Sequence, residues 1–190
     1  MDKVINVFWD VGYEAADIET LAKKTGLTKP SLYNAFGAKE DLFVAAIHRY
    51  MQTRMTASFD AMVRAQSPWD GIRDYYLSLA ENVAGDDHPT GCLLMSVALP
   101  VRGRLPKVAD IFDAMLQKRL QHVTAYFDKQ ISAGKLPQDF DVAAAVALFQ
   151  DLGAAMIMQA RAGAPLEVLR RKARRNTQLV MFEGGIVEQG

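Results

Sequence analysis

The residue types between Thr20 and Lys39 suit the binding of phosphate groups. This stretch contains no carboxylate and four lysines, namely Lys23, Lys24, Lys29 and Lys39. The whole 190-residue chain has 22 basic and 22 acidic side chains, so its formal net charge is zero. That balance excludes a generally basic nucleic-acid coat, but it is compatible with a local basic strip that contacts the DNA backbone.

A second polar cluster is weak evidence for a metal site. Asp86, Asp87 and His88 offer metal-ligand atoms, but three adjacent polar residues before a proline are more typical of an exposed turn. The sequence contains neither a phosphate-binding loop nor a nucleophile motif. We therefore expect no enzymatic activity and no metal or other cofactor.

The single cysteine, Cys92, can form neither an internal disulfide nor a zinc cluster, which fits a reducing compartment. It lies in an apolar run and is interpreted as a small buried hydrophobe, with a redox-sensing thiol as the less favoured alternative. The N-terminus lacks an apolar segment of signal-peptide length, and polar residues interrupt the apolar stretch from Val142 to Ala162. These features predict a cytoplasmic protein with no membrane partner.

Helical periodicity dominates the chain, which predicts an all-α fold of about nine helices. The first three helices are expected to form a compact head, residues 1–46, and residues 47–190 a larger helical domain. A fourth helix begins near Lys39, and its apolar seam extends toward Arg64. Four residues of the head are expected in its core: Leu21, Leu27, Leu32 and Phe36.

Capping residues mark two short helices inside the head. Asp17 suits the N-cap of the second helix, and Gly26 follows the end of that helix. Thr28 suits the N-cap of the third helix, which tolerates Pro30 in its first turn and stops at Gly37. Two short helices around a glycine turn match a helix-turn-helix, in which the second helix enters the DNA major groove.

The segment FWDVGYEAADIETLAKKTGLTKPSLYNAFGAKEDLF resembles the TetR/AcrR family of bacterial transcriptional regulators over nearly all of the head. The specific signal is the spacing of Gly12-Tyr13, Gly26-Leu27, Leu32-Tyr33, Phe36 and Lys39-Glu40. The rest of the chain is less diagnostic, although GCLLMSVAL and the closing helical pair resemble the C-terminal domains of one branch of that family. The resemblance implies a DNA-binding head and a C-terminal domain that binds a small ligand and dimerises.

The resemblance also implies roles for individual residues. Four residues of the third helix would face the major groove: Lys29, Pro30, Ser31 and Asn34. Three would contact phosphates: Thr28, Tyr33 and Lys39. In the groove, lysine can reach guanine O6 or N7 and asparagine can pair with adenine, while the other two positions can touch a thymine methyl or a base edge.

Structural alternatives stand beside these roles. Thr28 and Ser31 could serve only the first turn of the third helix, and Tyr33 could be half-buried against the first helix. Lys23 and Lys24 are more typical of solvated charges than of contacts.

The charge of the head argues against tight DNA binding. Residues 1–47 carry five lysines and seven carboxylates, a net charge of −2. Members of the family usually have a basic arm before the first helix, whereas this chain begins inside that helix. Because each neutralised phosphate adds affinity, we expect either a truncated start or a protein that relies on few phosphate contacts.

The implied small-molecule effector would lie among the C-terminal helices. The candidate ligand-binding residues are Met55, Phe59, Trp69, Tyr76, Cys92, Met95, Phe112, Met115, Phe149 and Met156. Core packing is the alternative for each of them, and the sequence does not identify the effector.

The last two predicted helices, about 139–162 and 165–182, resemble the pair that forms a four-helix dimer interface in this family. Six small residues would allow close helix approach: Ala143, Ala144, Ala147, Gly153, Ala154 and Ala155. Two recognition helices that bind a palindrome lie about 34–36 Å apart, which one head cannot achieve alone. The basic run from Arg170 to Arg175 is interpreted as a solvated or salt-bridged face rather than a second nucleic-acid site.

These features together predict a homodimeric, ligand-responsive transcriptional regulator, with repression favoured over activation. The alternative is a helical small-molecule-binding or enzymatic protein whose degenerate head no longer binds DNA. The acidic head and the missing arm support that alternative.

Overall fold

Helices form all the regular secondary structure in the residues that the computed structural model describes, 1–85 and 88–186. They are α1 (Asp2–Ala15), α2 (Ile18–Thr25), α3 (Lys29–Phe36), α4 (Lys39–Arg54), α5 (Thr56–Arg64), α6 (Pro68–Ala84), α7 (Leu99–Val101), α8 (Pro106–Ser132), α9 (Val142–Arg161) and α10 (Leu166–Glu183). A π-helical turn, Leu94–Ala98, leads directly into α7. The all-α prediction is confirmed.

Local capping fixes the two helices of the helix-turn-helix. The Asp17 carboxylate accepts a hydrogen bond from the Thr20 N–H at 2.7 Å, and α2 ends at Gly26, whose φ is 78°. The Thr28 hydroxyl accepts from the Ser31 N–H at 3.2 Å at the start of α3. These side chains satisfy N–H groups that have no partner inside the helix, which is why the predicted starts are correct.

The predicted fourth helix is divided into two. The apolar seam from Lys39 toward Arg64 suggested one continuous helix, but α4 ends at Arg54, and α5 begins at Thr56 in a new direction. The break at Met55 has a packing reason, since α4 packs against α1 and α5 packs against α6. A single straight helix cannot bury its apolar residues against both neighbours.

The head has its own cluster of large buried side chains. Phe8 and Trp9 of α1 are fully buried, and the Phe8 ring lies 4.8 Å from the ring of Phe43 on α4. Leu21 of α2 and Leu32 of α3 are buried against this cluster. The first half of α4 is therefore part of the core of the head.

Outside the head, α6 is a central helix that packs against α5, α9 and α10. Tyr76 of α6 is fully buried, and its hydroxyl donates a hydrogen bond to the Phe149 carbonyl of α9 at 2.8 Å. Among the described residues, α9 is the one helix long and apolar enough to cross a membrane, and 33% of its most apolar window is buried. One side of α9 packs against α6, α8 and α10, and part of its surface stays exposed.

Close packing at Gly71 of α6 provides a test of this arrangement. A Cβ atom at Gly71 would collide with the Tyr126 hydroxyl of α8 and would lie 2.9 Å from the Met62 carbonyl of α5. We expect Gly71→Ala to lower the free energy of unfolding by about 1–3 kcal/mol, the usual cost of overpacking. Urea unfolding followed by circular dichroism measures this change. Gly103→Ala is the control, because a Cβ there meets nothing within 4 Å, and equal stability of the two variants would contradict the packing.

Candidate functional site

The outer face of α3 is polar and uncovered by the rest of the chain. All six residues of this region that were predicted to contact DNA are exposed: Thr28, Lys29, Pro30, Ser31, Tyr33 and Asn34. In contrast, Leu32 on the opposite side of α3 is 1% exposed. A short helix with one anchored side and one free polar side has the form required to enter the major groove.

Contacts within the helix-turn-helix hold these polar side chains at defined positions. The hydroxyl oxygens of Thr28 and Ser31 lie 2.8 Å apart, so both residues serve the first turn of α3 while they remain exposed. The Lys29 ammonium donates to the Glu19 carboxylate of α2 at 3.1 Å. The Tyr33 side chain is 51% exposed, which favours the phosphate role over packing against α1.

Leu27 does not lie in the core, contrary to the prediction. It is 47% exposed, whereas Phe36 is half-buried and packs against the core. The reason is its position in the turn after Gly26, where the chain leaves α2 and has not yet begun α3. Leu27 directly precedes Thr28, the N-cap residue of α3.

Lys39 is the predicted phosphate contact on α4, and the end of α1 holds it in place. Its ammonium donates to the Glu14 carbonyl at 3.2 Å and lies 4.5 Å from the centre of the Tyr13 ring. Burial, followed by the charges of Glu40 and Glu14, raises the pKa of the Tyr13 hydroxyl, so this ring is a neutral support for the cation. The contact with Tyr13 could not be predicted from the sequence, because the two residues lie on different helices.

The N-terminus of α4 differs from those of α2 and α3 in having no side-chain cap. Its N-cap residue is Ala38, which leaves the N–H groups of the first turn without a side-chain acceptor. Such N–H groups, together with the positive end of the helix dipole, favour an anion. The Lys39 ammonium and these N–H groups lie at the same end of α4, together with the carboxylates of Glu40 and Asp41.

Cations from beyond the head offset its excess of acids. Asp2 pairs with Arg49 at 3.6 Å, and Glu14 pairs with Arg104 at 2.7 Å. Asp41 pairs with Lys107 of α8 at 2.6 Å, and this hydrogen bond lowers the pKa of the Asp41 carboxyl below its ordinary 3.8. With three of the seven acids paired in this way, the balance near the head becomes slightly positive. The acidic composition of the head is therefore weaker support for a degenerate DNA-binding surface.

A cavity of about 240 Å³ lies between the α4–α5 break and α8. It is lined by Met51, Met55, Thr56, Phe59, Asp60, Met115, Lys118, Arg119 and His122. A smaller cavity of about 60 Å³ shares Met55, Phe59, Met115 and Arg119 with it. The smaller cavity extends the apolar surface toward Cys92, Met95 and the π-helical turn.

The structure places the predicted ligand-binding residues in two groups. Five of them line the two cavities: Met55, Phe59, Cys92, Met95 and Met115. The other five do not line either cavity and lie in packed regions: Trp69, Tyr76, Phe112, Phe149 and Met156. Trp69, for example, lies 6.1 Å from the Phe182 ring of α10. Sequence reasoning missed the polar and charged lining residues, since it searched for apolar side chains.

Three further candidates from the sequence, namely the cysteine, the basic run and the histidine of the polar cluster, contact other residues of the chain. Cys92 is 8% exposed, and it lies beside Tyr50, whose pKa burial raises well above its usual range. Arg170 in the basic run pairs with Glu81 of α6 at 2.6 Å, as expected for a salt-bridged face. His88 stacks on Trp9 with ring centres 4.8 Å apart, whereas Asp86 and Asp87 lie outside the described residues.

The exposed α3 on a three-helix head, joined through α4 to the remaining helices, defines a helix-turn-helix DNA-binding protein. The sequence profile described as bacterial regulatory proteins of the tetR family matches residues 1–46. The chain is 29% identical to the HTH-type transcriptional repressor ComR of Escherichia coli over 178 aligned residues. The alignment covers 91% of this chain and 83% of ComR.

Solved structures extend the similarity to nearly the whole chain. One such structure is a cysteine mutant of the TetR family regulator CifR in complex with a 26-base-pair operator duplex. Its sequence is 26% identical to this chain, the TM-score of the two structures is 0.84, and the superposition covers 93% of each chain. A putative TetR regulator from Rhodococcus sp. RHA1 is 30% identical with a TM-score of 0.63, covering 95% of this chain and 96% of that one. This chain belongs to the TetR family of bacterial transcriptional regulators.

The positions of Lys29, Asn34 and Lys39 predict that substitutions reduce either overall DNA affinity or sequence preference. Lys39→Ala should weaken binding to all DNA sequences and reduce the salt slope by about one, because it removes a phosphate contact. Lys29→Ala or Asn34→Ala should cost about 1–3 kcal/mol and relax preference at one or two base pairs. Binding titrations on operator variants at several salt concentrations measure both effects. Equal effects of all three substitutions on every sequence would contradict these assignments.

Proposed function

We propose that this protein is a ligand-responsive transcriptional repressor that binds a palindromic operator as a homodimer. The observation that carries the proposal is the exposed polar face of α3, anchored on its other side by the buried Leu32. The similarity to ComR, named a transcriptional repressor, and to CifR bound to operator DNA supports it. In this proposal residues 1–46 bind DNA, residues 47–190 bind the effector and dimerise, and the protein acts in the cytoplasm.

DNA recognition is divided between base edges and backbone. Lys29, once released from Glu19, reaches guanine, and Asn34 pairs with adenine in the major groove. Pro30 and Ser31 lie on the same exposed face and approach a thymine methyl or a base edge. The phosphate contacts come from Thr28 at the N-cap of α3, Tyr33 on α3 and Lys39 at the start of α4.

Dimerisation through α9 and α10 accounts for apolar surface that the single chain leaves uncovered. Ala143, Ala147, Ala155 and Met158 are exposed along α9 at helical spacing, and Asp151 is the one acid exposed on the same face. On α10, Leu179 is 37% and Phe182 is 40% exposed. Pairing these surfaces around a two-fold axis buries them and presents two copies of α3 to the half-sites of a palindrome.

Two connections link the cavity to the DNA-binding surface. The first is α4, which carries Lys39 in its first turn and Met51 in its last, where Met51 lines the larger cavity. The second is α8, which lines the cavity with Met115 and holds the first turn of α4 through the Lys107–Asp41 pair. A ligand that moves α4 relative to α8 therefore changes the spacing of the two heads. A coupling of about 1–3 kcal/mol gives a 5- to 150-fold change in operator affinity.

The DNA upstream of the gene for this protein is the probe for the proposed function. We expect a shifted band in gel electrophoresis at low salt, because exposed lysines replace counterions on the DNA, and weaker binding as salt rises. An unrelated duplex of equal length is the control for sequence preference. The absence of any shift at low salt would favour the alternative of a helical binding protein with a degenerate head.

The proposed dimer makes a separate prediction. Ala147→Glu adds a second acid beside Asp151 on the exposed face of α9 and should yield a monomer by sedimentation. Operator affinity should fall by at least tenfold, because one head cannot span two half-sites. Ala125→Glu is the matched control, since Ala125 is exposed on α8, away from the proposed interface. A dimer that survives Ala147→Glu would show that α9 does not form the interface.

A further inference from the structure

Arg119 of α8 carries a positive charge into the interior at the junction of the two cavities. Its Nε and Nη2 atoms are buried and have no hydrogen-bond partner in the part of the chain that the structure describes. Leaving buried donors of a charged group unpaired is costly, because the group loses its water and gains nothing in return. This guanidinium therefore has unused hydrogen-bonding capacity beside both cavities.

The guanidinium lies against an aromatic ring and a helix backbone, within electrostatic reach of the hydroxyls of Tyr75 and Tyr76. Its carbon atom lies 5.9 Å from the centre of the Phe149 ring. Its Nη2 atom lies against α9 at Gly153, where an added Cβ would be only 2.7 Å away. These contacts hold the flat group in one orientation without satisfying its N–H groups. The glycine and the ring thus position the guanidinium where the two cavities meet.

The charges around the cavities favour an anionic ligand. Arg119, Lys118 and His122 line the larger cavity, and Asp60 is the one carboxylate among its lining residues. In the smaller cavity, Arg54 and Arg119 are present with no lining carboxylate among the described residues. The rest of the wall is apolar and includes the thioethers of Met55 and Met115 and the ring of Phe59.

We propose that the effector is a compact organic acid whose carboxylate pairs with Arg119 while its apolar body contacts the methionines and Phe59. This inference rests on the proposed function, because it specifies the ligand of the proposed regulatory cavity. The guanidinium can bind a carboxylate through two parallel N–H···O bonds. The volume of about 240 Å³ lies below the roughly 300–1,000 Å³ typical of sites for drug-sized ligands, which favours a small acid.

Calorimetric titration of the full chain with matched acids and amides tests the charge requirement. The acids are phenylacetate, hexanoate and octanoate; phenylacetamide, hexanamide and octanamide are their uncharged counterparts of similar shape, and inorganic phosphate is an anion without an apolar body. We expect at least one acid to bind ten times more tightly than its amide, and phosphate to bind more weakly than that acid. Binding of none of the acids, or equal binding of acids and amides, would overturn the proposal.

Substitutions then test the assignment to Arg119. Arg119→Gln should weaken acid binding at least tenfold and leave amide binding unchanged, whereas Arg119→Lys should retain part of the preference for acids. Lys129→Gln removes the same charge from an exposed position of α8 outside the cavities, and should change acid binding less than twofold. Acid binding that is unaffected in Arg119→Gln would overturn the assignment. If that variant fails to fold, the comparison of acids with amides on the unaltered protein still decides the proposal.

Ligand-free thermal unfolding separates a ligand-binding role from a structural one. Because Arg119→Gln removes an unpaired buried charge, its unfolding temperature should not fall below that of the unaltered protein. A lower unfolding temperature together with unchanged acid binding would identify a structural guanidinium and contradict the proposal.

Operator titrations with and without the bound acid distinguish this inference from the proposed function. Arg119-dependent acid binding that leaves operator affinity unchanged would support the carboxylate site and contradict ligand-responsive regulation. Operator binding by a protein that binds none of the acids would overturn the carboxylate site and leave the DNA-binding function intact.

Discussion

The helix α4 belongs to two environments, and the rest of the structure depends on its continuity between them. Its first half is fixed in the head by Phe43 and Ile47, both fully buried, and its last turn lines the larger cavity through Met51. The helix has 16 residues and is therefore about 24 Å long. A hydrogen-bonded helix of this length is a stiff connection, which is why the proposed coupling of the cavity to the head depends on α4.

The electrostatics of the head can be understood only with its neighbours included. Taken alone, residues 1–47 have a net charge of −2, which argues against contact with DNA. Arg49, Arg104 and Lys107 offset part of this charge from positions beyond the head. Exposed ion pairs of this kind contribute little to stability. Their effect on the potential of the DNA-binding face is larger, because phosphates respond to the summed local charge.

Local features of the fold were predictable from the sequence, and features formed by distant residues were not. The starts of α2 and α3 followed from Asp17 and Thr28, because a cap bonds to an N–H only three residues away. The exposed face of α3 was also predictable, because apolar residues lie on one side of this short helix and polar residues on the other. Leu27, in contrast, was wrongly assigned to the core, because its hydrophobic side chain does not reveal that no helix covers the turn.

The candidate site shows the same division. The resemblance to a known family indicated which residues of α3 face outward, whereas the Lys39–Tyr13 contact and the pairing of Asp41 with Lys107 join residues on different helices. The cavity was predicted in outline through Met55, Phe59 and Met115. Arg119 was missed because an arginine within a long amphipathic helix is usually solvated, and only its tertiary surroundings show that its donors are buried.

The break at Met55, which the sequence did not predict, explains why a cavity exists in this place. α4 remains packed against α1, while α5 turns to pack against α6. The two helices therefore diverge where α8 passes them, and the space that opens is lined from both sides by Met51, Phe59 and Met115. Had one helix continued from Lys39 to Arg64, no such opening would separate α4 from α5. The change in direction that allows both helices to bury their apolar faces thus also places the cavity against α4, which begins in the DNA-binding head.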